Sequence, residues 1–355
     1  MKKILFVAAS TMLLAAGCQK TEVLNQPKGN PITLSAGMNK LTKGAAEAGT
    51  ANLQTQGFKV WAYAAFTDVL NHINPGDPYD EMEGISFTYD ATNDKCATTG
   101  VYYWPGKDRD LDFFALSTLK NITPTFEGQG GETLSRKMTI ADYTVIPTDA
   151  NDDLMVSKFV RTRQNPADPT ADKGTVNLFF HHALSKTIFN VLTTTVTGTT
   201  VTVNSLTVAD VKTKGKLTVE DDNTTVDDGG NTLQPDKNGV KAVKFTWDEA
   251  NFASPETFTA APAGGLPLTD EKQTIATWLV LPQDIQSLNV EVDYTILTGE
   301  VEKSFKHTFA LSNDTVTNWG RNMVTTYNIN ISPNVIKFSA DVEEWKSNKD
   351  IEHNN

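Results

Sequence analysis

Apolar residues recur at every second position along most of this chain, and this alternation constrains its fold more than any other feature. Val201 and Val203 lie in one such run, Val290 and Val292 in another, and Tyr327, Ile329 and Ile331 in a third. Successive side chains of a strand point to opposite faces, so a period of two gives one buried and one solvated face. Clusters of Asn, Asp, Gly and Pro separate the runs, as between antiparallel strands. The sequence therefore predicts an all-β fold of the antiparallel β-sandwich type.

The first eighteen residues are typical of an export signal. Lys2 and Lys3 precede an apolar run that ends in small residues directly before Cys18. This order of charged, apolar and small residues is that of a secretory signal peptide. A cysteine at the cut is what a lipoprotein signal peptidase requires. We therefore expect residues 1–17 to be removed and Cys18 to be acylated, which gives a lipid-anchored precursor at the outer membrane. The alternative is an ordinary secretory signal followed by a chance cysteine.

The charge of the chain limits its partners. Removing residues 1–17 removes two lysines, which takes the formal net charge from −12 to −14. Such an acidic chain is poorly suited to nucleic acid or to anionic lipid surfaces, so acyl chains would have to provide membrane attachment. The chain holds two cysteines. If Cys18 carries lipid, Cys96 has no disulfide partner, and stability must come from burial and backbone pairing.

The chain divides into a leader and two halves. Ile32, Leu34, Ala36 and Met38 alternate with small polar residues and predict one strand with a single apolar face. Lys43 and a small, exposed stretch follow, so we assign residues 18–43 to a leader. Residues 161–174 hold two prolines and no large apolar residue, which predicts a linker or long loop. We therefore place one domain at 44–174 and a second at 175–355.

A set of short motifs, spread over nearly the whole chain after Cys18, resembles the fimbrillin family, the lipoprotein-precursor type V pilins of the Bacteroidales. Each motif is weak alone, and their order along the chain carries the resemblance. The motifs are Cys18, Lys43 after the first strand, Gly-Phe-x-Val-x-Ala-Tyr at 57–63, Tyr-Trp-Pro at 103–105, Leu-Asp-Phe-Phe-Ala at 111–115, Asp-Leu-Met-Val at 153–156, Phe-His-His-Ala-Leu-Ser-Lys at 180–186, Leu-Pro-Gln at 281–283, Trp319-Gly320, and Ile336-x-Phe338 leading to Trp345.

The resemblance implies two tandem transthyretin-like β-sandwich domains and a route of assembly. The first strand, 32–41, would fill a groove in its own sandwich until a trypsin-like protease cuts after Lys43. A strand from a neighbouring pilin subunit would then take its place. The donated strand would lie within 335–342, with an apolar face made of Ile336, Phe338, Ala340 and Val342. The resemblance also implies a role in adhesion to a host or bacterial surface.

A simpler interpretation needs no exchange. Residues 32–41 would be the first strand of a stable sandwich, and Lys43 would be a solvated loop residue. The resemblance favours exchange, because a strand that completes a sandwich pairs backbone groups and buries alternate side chains.

No motif predicts an enzyme, a cofactor or a metal site. His181 and His182 are adjacent, so on a strand they point to opposite faces and do not easily share a metal. We expect His182 to be a half-buried structural histidine. The acidic residues around Asp221 could hold calcium but lack the ligand spacing of an EF-hand, which favours a solvated hairpin tip. Ser117 and Lys120 fit a Ser-x-x-Lys pattern without its companion motifs. Cys96 has no evident base beside it, which favours an inert or incidental thiol.

The rival hypothesis is a monomeric surface lipoprotein that binds glycan through exposed aromatic residues. Trp104 and Trp278 lie in strongly apolar surroundings, which predicts that they pack in cores. Trp247, in Phe-Thr-Trp-Asp, is the residue that the pattern predicts to be exposed.

Overall fold

The regular secondary structure of the described residues is almost entirely β-strand, which confirms the predicted all-β fold class. The computed structural model describes residues 30–38, 53–90, 92, 95–106, 109–132, 134–147, 152–163, 175–194, 196–222, 243–332 and 336–345. Within these ranges the helical segments are a single turn at 53–56 and a short 3-10 helix at Glu249–Asn251. None of the described helices is long and apolar enough to cross a membrane.

Ten strands lie between residues 33 and 182, the part that is called the first half of the fold from here on. They are β1 (Thr33–Met38), β2 (Phe58–Ala64), β3 (Pro78–Asp90), β4 (Lys95–Ala97), β5 (Leu111–Ser117), β6 (Thr125–Glu127), β7 (Lys137–Thr144), β8 (Met155–Ser157), β9 (Val160–Thr162) and β10 (Thr175–His182).

Twelve strands come from the second half. They are β11 (Ser185–Leu192), β12 (Thr199–Asp221), β13 (Val243–Trp247), β14 (Ala253–Ala260), β15 (Leu266–Pro267), β16 (Gln273–Val280), β17 (Gln283–Asp284), β18 (Asn289–Thr298), β19 (Val301–Ala310), β20 (Asn318–Trp319), β21 (Met323–Ile331) and β22 (Ile336–Glu344).

The first sheet has the strand order β1-β10-β8-β5-β2-β3-β4, with β9 also paired to β5. Its central strands are the apolar motifs of the sequence, and β5 is buried along its whole length. One face packs on a core cluster that includes Leu34, Phe58, Trp104 and Phe180. The other face, with Trp61 and Phe114, belongs to a larger cluster shared with the second half. The first sheet is therefore covered on both faces, as its apolar sequence requires.

The second half contains a four-stranded sheet of order β16-β11-β21-β22 and a large sheet of order β19-β18-β12-β7-β6. Strands β13, β14 and β15 also pair with β12, while β17 and β20 form a small separate ladder. Strand β12 has 23 residues and pairs with β18 at its start and with β7 at its end. One long strand therefore joins the two halves.

Two features of the topology bear on the expected division of the chain. Strand β10, placed at the opening of the second domain, completes the first sheet, and β6 and β7 lie in the large sheet of the second half. The predicted start of the loop at residue 161 is wrong, because Arg161 and Thr162 belong to β9 and pair with β5. Residues 164–174 lie outside the described residues. The boundaries 44–174 and 175–355, and the count of two domains, stay predictions.

Burial tests the three tryptophans of the rival hypothesis. Trp104 and Trp278 are buried, as predicted. The exposure predicted for Trp247 is wrong, because this side chain is only 8% exposed. It pairs across the ladder with Leu217 of β12, and its indole N–H donates to the carbonyl of Ala183 at 2.8 Å. Backbone pairing with a buried strand, rather than the polar residues beside it in sequence, decides its position.

Candidate strand-exchange site

Strand β1 lies at the edge of the first sheet. Within the described residues it pairs with β10 alone, in parallel, from Thr33 opposite Thr175 to Met38 opposite Phe180. The residues just before it are held by a second segment. Ile32 donates its backbone N–H to the carbonyl of Tyr102 at 2.8 Å, and Trp104 donates to the carbonyl of Asn30 at 3.1 Å. Strand β1 thus fills a groove formed by the edge of β10 and residues 102–104, which we call the first-strand groove.

The predicted apolar face of β1 faces the core. Leu34 is buried in the core cluster that contains Phe58 and Trp104, and Ile32 and Ala36 are half-buried against this cluster. Thr33 and Ser35 are exposed on the opposite face. The Met38 side chain lies outside the described part of the structure. Burial of a leucine contributes about 1.5–3 kcal/mol, and each backbone hydrogen bond about 1 kcal/mol net. These are the contacts that any replacement strand would have to supply.

Cys96 lies behind β1. It is half-buried in the cluster beneath the strand, and Ala36 packs on the same cluster. Burial raises the pKa of the Cys96 thiol, and a backbone hydrogen bond from Ala36 offsets this in part. A protonated, shielded thiol is a poor nucleophile, which fits the predicted inert role. Its shielding depends on β1 being in place.

Strand β22, which contains the candidate donor residues, is also an edge strand. Within the described residues it pairs with β21 alone, antiparallel, from Ile336 opposite Ile331 to Glu344 opposite Met323. Ile336, Phe338 and Ala340 are half-buried against the large core cluster, and Val342 is exposed. The Phe338 ring stacks on Phe309 of β19 at 5.2 Å and lies 5.6 Å from Tyr327. The apolar face of β22 thus closes the core of its own half.

An aromatic contact fixes the far end of β22. Trp345 stacks on His182 with 3.8 Å between ring centroids, and its backbone N–H donates to the carbonyl of Asn322 at 2.6 Å. His182 is fully buried, and its Nδ1 lies 2.7 Å from Oδ2 of Asp153. The two atoms are close enough for an ion pair but lack the geometry of a hydrogen bond. This position agrees with the predicted structural role of His182, whereas the predicted half-burial is wrong because the side chain is fully buried.

The strand that holds β1 also holds the end of β22. β10 pairs with β1 along its length, and its last residue is His182. The neighbouring His181 is half-buried and contacts Phe245, and burial, with Lys158 and Arg321 nearby, lowers its pKa to about 3. Three motifs that are distant in sequence meet here, through Asp153, His182 and Trp345. Local sequence patterns gave no signal for this contact.

The other predicted site residues are placed as follows. Cys18 and Lys43 lie outside the described residues. The solvated position expected for Asp221, which was also considered for calcium, is wrong, because this residue is buried and its carboxylate binds the guanidinium of Arg136 at 2.8 Å. Ser117 donates to the carbonyl of Gly57, and Lys120 pairs with Asp152, so the Ser-x-x-Lys residues face different partners. Among the described residues, no group of three or more His, Cys, Asp or Glu side chains could hold a metal ion.

Comparison with known proteins decides the family. The sequence profile described as fimbrillin-like matches residues 46–345, which is most of the chain. This chain belongs to the fimbrillin-like family. The predicted resemblance is confirmed. Membership of this family indicates a pilus subunit at the cell surface, associated with other pilin subunits. The family is a fimbrial one and is not known as an enzyme family.

Solved structures of similar fold come from the Bacteroidales. A fimbrial protein from Bacteroides vulgatus is 18% identical, with a TM-score of 0.52, and the match covers 89% of this fimbrillin-like chain and 99% of that chain. A proposed cell adhesion protein from Bacteroides uniformis is 17% identical, with a TM-score of 0.43, covering 90% and 100%. At this identity the first structure shows a shared fold alone. No curated protein shows significant sequence similarity to the chain.

Proposed function

We propose that this fimbrillin-like chain is a structural subunit of a cell-surface fimbria, with a role in adhesion. It is exported as a lipoprotein acylated at Cys18 and held at the outer membrane. A trypsin-like protease cuts after Lys43 and releases β1. The first-strand groove then accepts β22 of a neighbouring subunit. The protein acts without a cofactor, and its partners are other pilin subunits.

The observation that carries this proposal is a match between the two edge strands. In both strands four apolar residues follow each other at every second position, with isoleucine first and alanine third. In β1 they are Ile32, Leu34, Ala36 and Met38, and in β22 they are Ile336, Phe338, Ala340 and Val342. A strand that enters the groove in the direction of β1 would place alanine opposite alanine. The two strands are therefore interchangeable in pattern when they run the same way, parallel to β10.

The position of β1 also supports exchange. It is an edge strand at the start of the described chain, so removing it breaks one ladder and leaves the remaining sheet paired. Removal exposes the unpaired edge of β10 and the core residues beneath Leu34. Such an edge recruits another strand, because new backbone hydrogen bonds and buried side chains restore what was lost.

Within the described residues, the tryptophans considered for glycan binding present no exposed ring face. A cavity of about 250 Å³ opens beside Trp247. Its aromatic walls are engaged elsewhere, since the indole N–H of Trp319 donates to Tyr327 at 3.0 Å and the guanidinium of Arg321 covers Phe245 at 4.4 Å. Stacking of sugars requires an exposed aromatic face. Trp104, Trp247 and Trp278 are all buried, so no specific observation favours this function.

Cleavage and strand release can be measured together in the Cys18→Ser chain without residues 1–17. Limited digestion with a lysine-specific protease is expected to cut after Lys43, as read by mass spectrometry. The Cys96 thiol then reacts at least about tenfold faster with a thiol reagent, because β1 no longer covers it. Lys43→Ala is expected to prevent both changes. Lys40→Ala is the neighbour control and is expected to prevent neither. Cleavage after Lys43 with unchanged Cys96 reactivity would mean that β1 stays in its groove, and would contradict the proposal.

A further inference from the structure

A loop that is closed by hydrogen bonds presents two apolar side chains to solvent at one end of the molecule. Val69 is 79% exposed and Leu70 is 91% exposed, more than any other large apolar residue described. The loop is closed by two backbone hydrogen bonds between Asp68 and Ile73, of 2.8 and 2.9 Å. The Asp68 carboxylate accepts from the N–H of Leu70 and binds Arg109 at 2.6 Å. We call residues 68–73 the tip loop. An apolar tip that is held in one shape in water is typical of a contact surface.

The tip loop lies where β1 enters its groove. β5 and β1 both run in the direction of β10, and the loop follows β2 at the end of the sheet where β5 begins. Direct contacts link the two places. Arg109, which holds Asp68, also donates to the carbonyl of Pro105, and the adjacent Trp104 is bonded to Asn30. The residues that precede the strand in the first-strand groove therefore lie beside the tip loop.

A second exposed apolar patch lies at the other end of the molecule. It consists of Val196, Leu297 and Val301, of which Val301 is 59% exposed. Thr200 pairs with Leu297, and the backbone of Gly299 is bonded to Gly198, so the three residues share one tip. We call them the far-end patch. β11 ends and β22 begins at this tip, because Leu192 pairs with Asn330 and Ile336 pairs with Ile331.

Strand β12 separates the two surfaces. Its first residue, Thr199, pairs at the far-end patch, and its last residue, Asp221, binds Arg136. Arg136 also binds Asp112, which accepts from the N–H of Gly130 near the base of the tip loop. A strand rises about 3.3 Å per residue, so the 23 residues of β12 span at most about 75 Å, and the two surfaces lie toward its opposite ends.

We propose that the tip loop of one copy packs on the far-end patch of the next copy in the fibre. This inference rests on the proposed function. A donated β22 that runs in the direction of β1 places its Ile336 where Ile32 lies, beside the tip loop of the acceptor. Four residues, 332–335, connect it to Ile331 at the far-end patch of the donor. Five such steps span at most about 18 Å, so the patch is brought against the loop.

The contact is heterologous and repeats without closing. Each copy carries the loop at one end and the patch at the other, so every added copy presents a new free surface. Head-to-tail contacts of this type generate filaments when the rotation does not close a ring. The two surfaces also account for five of the nine exposed large apolar residues in the described chain.

Disulfide trapping tests the contact directly. In the chain that begins at Gly44, with Cys96→Ala, Leu70→Cys and Leu297→Cys are combined and the protein is allowed to assemble under mild oxidation. We expect a ladder of covalent oligomers on denaturing gels. The matched control combines Leu119→Cys with Leu297→Cys, since Leu119 is exposed but follows β5 at the opposite end of the first sheet. A ladder that is absent, or equal in the control, would overturn the proposal.

Loss of the apolar contact is expected to weaken assembly without abolishing the exchanged strand. Val69→Ser with Leu70→Ser should raise the protein concentration needed for polymers by about tenfold, and Leu297→Ser with Val301→Ser should do the same. Leu119→Ser is the control and should leave this concentration unchanged. If polymers form equally in all variants, the tip-loop contact is refuted while strand exchange stands. If the unmodified Gly44 chain forms no polymer, strand exchange itself fails. A third outcome would assign the loop to the membrane instead. In it, Val69→Ser combined with Leu70→Ser leaves assembly unchanged but lowers binding of the lipid-coupled precursor to vesicles.

Discussion

Replacing Arg136 with Ala is expected to lower the free energy of unfolding by about 3–5 kcal/mol, because it leaves a buried charge without its partner. Arg136 is completely buried. Its guanidinium binds Asp221 at 2.8 and 2.9 Å and Asp112 at 3.1 Å, and it donates to the carbonyl of Phe159 at 3.2 Å. Asp112 keeps a second cation, Arg161, at 2.5 Å. Asp221, the last residue of β12, is therefore the carboxylate that the substitution leaves uncompensated.

Urea unfolding followed by tryptophan fluorescence measures this loss. Lys137→Ala is the matched control, since the adjacent Lys137 pairs with Glu127 at the surface, where an ion pair contributes about 0–1 kcal/mol. Arg136→Lys should recover little stability, because an ammonium group cannot reach both carboxylates with a planar fork. A loss below about 1 kcal/mol for Arg136→Ala would contradict the role of this cluster in joining β12 to the first half.

Replacing Trp345 with Ala is expected to loosen β22 and to lower the free energy of unfolding by about 2 kcal/mol. The ring is half-buried, so the cost is below the usual 3–5 kcal/mol for a buried tryptophan. The substitution removes the stack on His182 and the cation of Lys186 at 5.8 Å from the ring. Amide hydrogen exchange should rise along β22 while β5 stays protected, because among the described strands only β21 pairs with β22.

Glu343→Ala is the control for this second prediction. Glu343 is an exposed residue of the same strand, opposite Val324, and its removal should change neither stability nor exchange. If β22 exchanges at the same rate in Trp345→Ala as in the unmodified chain, the stack on His182 does not restrain the candidate donor strand.

The alternation of apolar residues was sufficient to predict the fold class and many of the strands. Leu34 is buried and Thr33 and Ser35 are exposed, as the pattern of the first strand requires. Strand β10 alternates in the same way along its whole length. These features are local, because burial of one face of a strand is recorded in its own residues.

Long-range pairing could not be predicted in the same way. Strand β1 pairs with residues that follow it by 142 positions, and it does so in parallel, as β11 does with β21. A strand's own pattern does not record the direction of its partner. Trp247 was predicted to be exposed from its polar neighbours, whereas the register with β12 buries it. The cluster of Asp112, Arg136, Arg161 and Asp221 was missed, because charged residues far apart in sequence give no local signal of burial.

The resemblance supplied motifs whose meaning became clear only in the structure. Asp153, His182 and Trp345 belong to three separate motifs and meet at the end of β22. Leu111-Asp112-Phe113-Phe114-Ala115 is the buried centre of the first sheet, and its Asp112 binds two arginines. The motifs therefore mark places where distant parts of the fold pack together.

The measurement that tests strand exchange most directly is the mass in solution of two chains, one beginning at Gln19 and one at Gly44, by light scattering after gel filtration. We predict that the Gln19 chain is a monomer and that the Gly44 chain forms a series of integral multiples. A synthetic peptide of residues 335–345 should stop this growth at the monomer, and the same peptide with scrambled order should not, which separates exchange from aggregation. If both chains are monomers, or if both peptides affect growth of the Gly44 chain equally, assembly through the first-strand groove is contradicted.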